Sequence, residues 1–228
     1  KKAYDFVAMT PAQAFHSLSE LLKVKKLIVG GSYVSLALQK ALIKAKVNAY
    51  ETYGMMETLS HIAVRTMFDP VSEFKCLPDV TVEQDNRKCL VINAPKLDIR
   101  KLITNDEVEL FSKTHFRLIG RKDHVINSGG MKLHPEQIER KLSENLTFHF
   151  FIDKIHDPDL GEKVVLVIKD NPEISVEKLQ HQIKECISLE AIEIPKTVVC
   201  FKEFSQTYSG KVKRKETMGQ KPHRILNL

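Results

Sequence analysis

Within its first 54 residues this chain alternates short apolar runs with segments of helical spacing, an order that few layered folds accommodate. Residues 6–9 read as a strand, and Thr10-Pro11 supplies an N-cap followed by proline at the first helical position, which predicts a helix to about Lys23. Leu27-Ile28-Val29 is a compact apolar strand that stops at Gly30-Gly31-Ser32. Residues 35–46 carry Leu36, Leu38, Leu42 and Ile43 at helical spacing, and a further strand over 48–53 ends at Gly54. This order predicts parallel βαβ units in an α/β fold, where ligands gather at the carboxyl ends of the strands. Gly30-Gly31 and Tyr53-Gly54 both stand at such ends.

Beyond Gly54 the texture turns to β. Short strand-like runs at 61–67, 80–83, 89–93, 108–111 and 115–119 are separated by turn residues such as Asp85-Asn86, predicting a small sheet or distorted barrel. Gly120-Arg121-Lys122-Asp123 punctuates the chain. After it come strands at 125–126, 148–155, 164–168 and 198–201 and helices at 135–142 and 176–187, the pattern of a separate small α+β domain followed by a basic tail. The domain organisation read from this change is 1–120 and 121–228.

Composition bounds the function classes. With 43% hydrophobic and 28% charged residues, nine glycines and nine prolines among 228, the chain matches ordinary globular usage and excludes collagen-like or linker-like structure. Its apolar runs fall far short of the roughly 20 residues a membrane-spanning helix needs. Four scattered cysteines form no C-x-x-C pair, and they read as reduced residues of a cytoplasmic protein. The formal charge of +6 would help hold a polyanion, yet much of the excess sits in the single run 211–215 rather than on the broad face that nucleic acid requires. The chain opens on Lys1 with neither an initiator Met nor a signal-peptide pattern, as expected of a piece of a longer protein.

Four motifs carry chemistry. Tyr53-Gly54-Met55-Met56-Glu57-Thr58 joins an aromatic face, a glycine turn and a carboxylate. Such a group suits a nucleotide, with Tyr53 stacking on a base and Glu57 offering an oxygen to Mg²⁺ on phosphates, but it equally describes a loop with a half-buried tyrosine. Thr104-Asn105-Asp106 reads as a tight turn between two strand-like runs, presenting an acid to ribose hydroxyls or simply capping an Asx turn. Arg121, Asp123 and Gly129-Gly130 surround one short strand. Thr207-Tyr208-Ser209-Gly210-Lys211 leads small and hydroxyl residues to a lysine but lacks the Walker spacing, so the alternative is a solvated basic tail. The nine histidines show no metal-binding spacing.

In order along the chain, Tyr-Gly-x-x-Glu-Thr, Thr-x-Asp, Gly-Arg-x-Asp with its Gly-Gly turn, Pro135-x-x-Ile138-Glu139, Asp157-Pro158 with Gly161-Glu162, and Ser-Gly-Lys resemble the adenylate-forming superfamily of acyl-CoA synthetases from about Phe6 to Lys215. The runs 53–65 and 120–130 look most like the 2-succinylbenzoate–CoA ligases of menaquinone biosynthesis. The resemblance implies ATP, Mg²⁺ and coenzyme A as cofactors and a small carboxylic acid as substrate. It implies that Gly30, Gly31 and Ser32 border the adenine and acyl pocket, that Tyr53, after which Gly54 turns, stacks on adenine, and that Glu57 binds Mg²⁺. It further gives Asp106 and Arg121 to the ribose, Asp123 to a hinge, Gly130 to the pantetheine tunnel and Lys211 to the substrate carboxylate and α-phosphate during adenylation. His61 and Arg65 are candidates for the second carboxylate of the dicarboxylate. The family usually has threonine where this chain has Met56, and losing a hydrogen bond to a charged phosphate costs about 1.5–3 kcal/mol, which would slow adenylation. The family's loop for the β- and γ-phosphates lies upstream of these residues, so the chain is expected to be the C-terminal part of such an enzyme and inactive alone.

The competing expectations are another aryl- or fatty-acid ligase, a noncatalytic nucleotide- or CoA-binding protein, and, furthest off, a basic nucleic-acid-binding module.

Overall fold

A computed structural model describes residues 3–32, 34–69, 72–171, 174–208 and 210–228. Ser209 of the lysine motif lies outside the described residues. The chain divides into two compact units, Lys1–Lys122 and Asp123–Leu228.

The first unit is built on one nine-stranded sheet. Strands β1 (Val7–Met9), β2 (Leu27–Val29) and β3 (Ala49–Gly54) are parallel, with helices α1 (Pro11–His16) and α2 (Leu36–Lys44) in the crossovers. Thr10 caps α1 by a capping box with Gln13, and Ser35 caps α2 by accepting from Leu38 N–H. The helix expected to reach Lys23 ends at His16, because the Ser17 backbone amide already closes it onto Gln13 and Ala14; a 3-10 turn over Leu21–Lys23 follows. Leu21, Leu27, Val29, Leu38, Leu42 and Ala49 form the core under these helices.

Strands β4 (His61–Thr66), β5 (Phe74–Cys76), β6 (Thr81–Gln84), β7 (Cys89–Ala94), β8 (Ile99–Ser112) and β9 (His115–Arg121) continue the same sheet in the order β1-β2-β3-β4-β5-β9-β8-β7-β6. The small separate sheet expected after Gly54 is therefore corrected: β4 pairs antiparallel with β3 and carries the sheet onward. Two further expectations change. The strand expected at 108–111 is only part of β8, which has 14 residues, and Thr104-Asn105-Asp106 lies inside it rather than in a tight turn. Cross-strand pairing to β7 and β9, with Thr104 Oγ1 donating to the Leu90 carbonyl at 2.8 Å, overrides the turn preference of Asn-Asp.

The second unit holds strands β10 (Ile126–Ser128), β11 (Met131–Leu133), β12 (Phe150–Asp157), β13 (Gly161–Lys169), β14 (Thr197–Phe201) and β15 (Arg224–Asn227), with helices α3 (Pro135–Leu142), α4 (Val176–Lys184) and α5 (Arg214–Met218). Leu142, Leu166, Leu179, Ile183 and Val198 fill one core of this sheet; Phe151, Val167, Phe201 and Phe204 fill another. The basic tail is ordered here. Strand β15 pairs antiparallel with β14, and α5 lies between, because Met218, Leu226 and Leu228 give an otherwise polar tail apolar surface to bury.

Candidate active site

At the carboxyl end of the parallel strands, Met9, Thr10, Gly30 and Thr52 line a pocket of about 280 Å³ with Ala8, Gln13 and Ile28. Gly30 leaves room there for the Thr52 side chain: a Cβ would lie 2.0 Å from Thr52 Oγ1 and displace it. Gly31, at φ +86°, makes the left-handed turn off β2, and Ser32 follows it on the exposed surface. None of the described residues that line this pocket carries a charge.

Strand β3 ends at Gly54, where a Cβ would lie 2.3 Å from the Ser60 carbonyl oxygen and 2.6 Å from His61 Cα. Only glycine lets the return strand approach so closely. Residues Met56–Thr58 then form one 3-10 turn, closed by the buried Thr58 hydroxyl, which accepts from Met55 N–H at 3.0 Å and donates to the Ser60 carbonyl at 2.7 Å. Met56, 92% exposed, and Glu57 are thereby held out to solvent. A lone outward carboxylate fits Mg²⁺ carried on phosphates, because that ion keeps most of its ligands from water and phosphate. Among the described residues no cluster of three His, Cys, Asp or Glu forms a metal cage.

Tyr53 points the other way. Its ring, 8% exposed, packs in the core with Phe74 and Phe116 at centroid separations of 5.9 and 5.2 Å. Phe74 packs tilted and Phe116 edge-on against this ring, and its hydroxyl donates to Asp106 Oδ2 at 2.5 Å. Burial, then the Asp106 charge, pushes the Tyr53 phenol far above its ordinary pKa, so it remains a donor. Asp106 stands directly across the ladder from Arg121, whose Nη1 is 3.6 Å from Asp106 Oδ1. A buried carboxylate beside a half-exposed guanidinium offers acceptors and donors to a vicinal diol.

Arg65 is paired across the sheet. It lies opposite Glu51 on β3, donates from Nε to Glu51 Oε2 at 2.7 Å, and sits 5.2 Å over the Phe74 ring. Both side chains are largely buried, so the guanidinium is engaged with Glu51 inside the sheet. The cross-strand spacing of 51 and 65 carries that signal, but only once β3 and β4 are known to pair. His61 lines a separate pocket of about 180 Å³ with Ile62, Val80, Lys96 and Leu97. Thr52, Thr58, Phe74 and Phe116 shape the site without having been singled out in the sequence; of these only Thr58 stood within a motif.

In the second unit, Asp123 is exposed within a 3-10 turn over Lys122–His124. Gly130 sits at φ +83° in the β10–β11 hairpin, with open space where a Cβ would be. Lys211 is exposed at the mouth of a small pin: Thr207 N–H donates to the Lys211 carbonyl at 2.8 Å, Lys211 N–H to Thr207 Oγ1 at 3.0 Å, and Gln206 bridges Val212.

No known family's sequence model matches the chain. It is 29% identical over 121 residues, half of this chain, to the mouse (Mus musculus) mitochondrial acyl-coenzyme A synthetase ACSM1. It is 26% identical over 264 residues, 86% of this chain, to the chloroplastic/peroxisomal 2-succinylbenzoate–CoA ligase of Arabidopsis thaliana. These matches span 21% and 46% of the two relatives' own lengths. The fold superimposes on o-succinylbenzoate CoA synthetase (MenE) from Bacillus subtilis in complex with the acyl-adenylate intermediate OSB-AMP, with a TM-score of 0.80 at 16% identity, covering 96% of this chain and 52% of that one.

Proposed function

We propose that this chain, whose homologues and structural neighbours are adenylate-forming acyl-CoA synthetases, is the C-terminal part of an ATP-dependent acid–CoA ligase. In this reading Lys1–Lys122 completes the large adenylate-forming domain and Asp123–Leu228 is the small mobile one. The observation that carries it is the meeting of Tyr53, Asp106 and Arg121, remote in sequence, in one group joined by a hydrogen bond and an ion pair.

The chemistry has two steps. A carboxylate oxygen of the acid attacks the α-phosphorus of ATP and pyrophosphate leaves; the thiol sulfur of coenzyme A then attacks the acyl carbonyl, loses its proton and expels AMP. Asp106 accepts from the ribose hydroxyls, Arg121 donates to them, and the Tyr53 hydroxyl holds the carboxylate in place. Gly30, Gly31 and Ser32 border the acid and the adenine. Lys211 is the catalytic lysine of the first step, its ammonium offsetting negative charge that builds on the carboxylate and α-phosphate oxygens. Glu57 would hold Mg²⁺, which supplies charge neutralisation on the phosphates. Asp123 is the hinge about which Gly130 comes to line the pantetheine tunnel for the second step. Met56 brings no hydroxyl to the α-phosphate.

Likeness to the Arabidopsis and Bacillus proteins supports 2-succinylbenzoate as the acid, and with it menaquinone biosynthesis. The uncharged lining at Gly30 and Thr52 favours a second reading, an aryl or fatty acid with a neutral body. Four unpaired, buried cysteines support a reducing, cytoplasmic setting; no helix among the described residues is long and apolar enough to cross a membrane.

The test is pyrophosphate release by the complete ligase with ATP and a panel of acids, in wild type and Lys211→Ala. Adenylation is expected to fall by orders of magnitude in the variant while thioester formation from supplied acyl-adenylate survives. Equal loss of both steps, or neither, would defeat the assignment.

A further inference from the structure

The lysine pin is short and polar, Lys211 is exposed, and hydrogen bonds within the turn hold the Lys211 backbone to Thr207. Its base is fixed at two places. Val212 packs against the core that contains Phe151, Phe201 and Phe204. Arg214 is largely buried and makes a forked contact with Glu139 on α3: Nη1 to Oε1 at 2.8 Å and Nη2 to Oε2 at 2.9 Å. Nη1 also donates to the Ile152 carbonyl at 3.2 Å, Ile152 N–H donates to Glu139 Oε1 at 2.8 Å, and the guanidinium lies 5.5 Å from the centre of the Phe151 ring. Helix α3 and strand β12 are thus both tied to Arg214.

The stem is closed on the same side. Lys213 N–H donates to the Ser205 carbonyl at 2.8 Å, and Ser205 N–H donates to the buried Thr217 hydroxyl at 3.1 Å. Three residues of extended chain span roughly 10 Å, so Lys211 stays within that reach of the anchored Arg214. The charge cluster reaches further, since Glu136, one turn before Glu139, holds His124 at 2.6 Å between Oε1 and Nδ1, next to Asp123.

We propose that Arg214 is a positioning residue: its buried fork with Glu139 fixes the reach and direction of the Lys211 pin. A fork suits this task better than a lysine would, because two parallel hydrogen bonds fix orientation as well as distance. The inference rests on the reading of Lys211 as the adenylating lysine.

The experiment uses the complete ligase and three measurements: hydrogen–deuterium exchange of residues 205–213, the two half-reactions, and thermal melting. Arg214→Met keeps the length and apolar contact with Phe151 but removes the fork. Exchange in the pin is expected to rise at least tenfold while β12 and β13 stay protected, adenylation to fall at least 30-fold, and thioester formation from supplied acyl-adenylate to stay within threefold. Should Arg214→Met fail to fold, Arg214→Lys, which keeps the charge and loses the fork, is expected to give the same pattern at about fivefold. Unchanged exchange in the pin overturns the proposal whatever the activity. Faster exchange with wild-type adenylation also overturns it, as does equal loss of both half-reactions with a falling melting temperature. Lys211→Ala without effect on adenylation defeats the function reading, and with it this inference; loss in Lys211→Ala alone defeats only the inference.

Discussion

The Tyr53 phenol and the Asp106 carboxylate satisfy one another inside the sheet, and the ring around that bond is held by Phe74 and Phe116. Removing the hydroxyl alone separates the two functions of this residue. Tyr53→Phe keeps the ring contacts with Phe74 and Phe116, so the fold should survive, with a loss of about 1.5–3 kcal/mol for a hydrogen bond to a charged group. Calorimetry should show AMP bound roughly tenfold more weakly, because a factor of ten corresponds to about 1.4 kcal/mol and Asp106 loses the donor that orients it. Unchanged affinity would mean that Asp106 needs no such support. Arg65 gives the opposite kind of test. Its guanidinium is engaged with Glu51, so Arg65→Ala should cost about 3–5 kcal/mol in chemical denaturation, the loss expected when a largely buried carboxylate is deprived of its guanidinium. The ratio of KM values for a dicarboxylate and a monoacid should not move. A selective rise for the dicarboxylate would return Arg65 to the substrate pocket.

At the scale of elements, the β3–turn–β4 unit is what sets Glu57 and Met56 outward and Tyr53 inward. Its geometry depends on backbone approaching backbone at Gly54, where a Cβ would meet the Ser60 carbonyl at 2.3 Å, and no side-chain rotation relieves that contact. Gly54→Ala should therefore splay the hairpin and lower both stability, by roughly 1–3 kcal/mol, and nucleotide affinity, read by thermal melting with and without AMP. Gly130 differs: space is open around it and only the left-handed backbone resists substitution. Asn, which tolerates that conformation, should be accepted at Gly130 where Leu is not. Legibility at this scale followed the same division. A short apolar run ending in glycine marked β2 correctly, and the mixed run Ala49-Tyr50-Glu51-Thr52-Tyr53, only part buried, marked β3 by its β-forming residues and its closing glycine. Asp106 was misplaced in a turn because a polar Thr-Asn-Asp stretch has no β signal of its own; pairing with β7 and β9 supplied it.

For the whole molecule, the charge cluster of the second unit links stability to pH. Burial pushes Glu139 up to about 7 despite the Arg214 guanidinium, and burial also raises Asp153. Glu136 is buried as well, but its hydrogen bond with His124 and the Arg214 charge outweigh this and lower it. For a carboxyl raised in the folded state, the folded form holds a proton that the unfolded form has released. Its contribution is complete below the unfolded value of 4.5 and is lost as pH rises to about 7. Glu136 acts with the opposite sign, losing its contribution as pH falls below 4.5. Melting of the complete protein should show the second unit's transition moving down between pH 5 and 7, and Glu139→Gln should flatten that slope; an unaltered slope would place the titration elsewhere. The sequence alone determined the α/β class, the strand-end glycines, the exposed lysine and the ordered motifs of the superfamily, since each is written in local spacing or in residue type. Tertiary structure alone decided that the β region continues the parallel sheet, that Tyr53 serves Asp106 through its hydroxyl, that Glu51 claims Arg65, and that Glu139 anchors the lysine pin through Arg214. Those are pairings between residues far apart in the chain, and their energies depend on distance and burial, which spacing along a sequence does not carry.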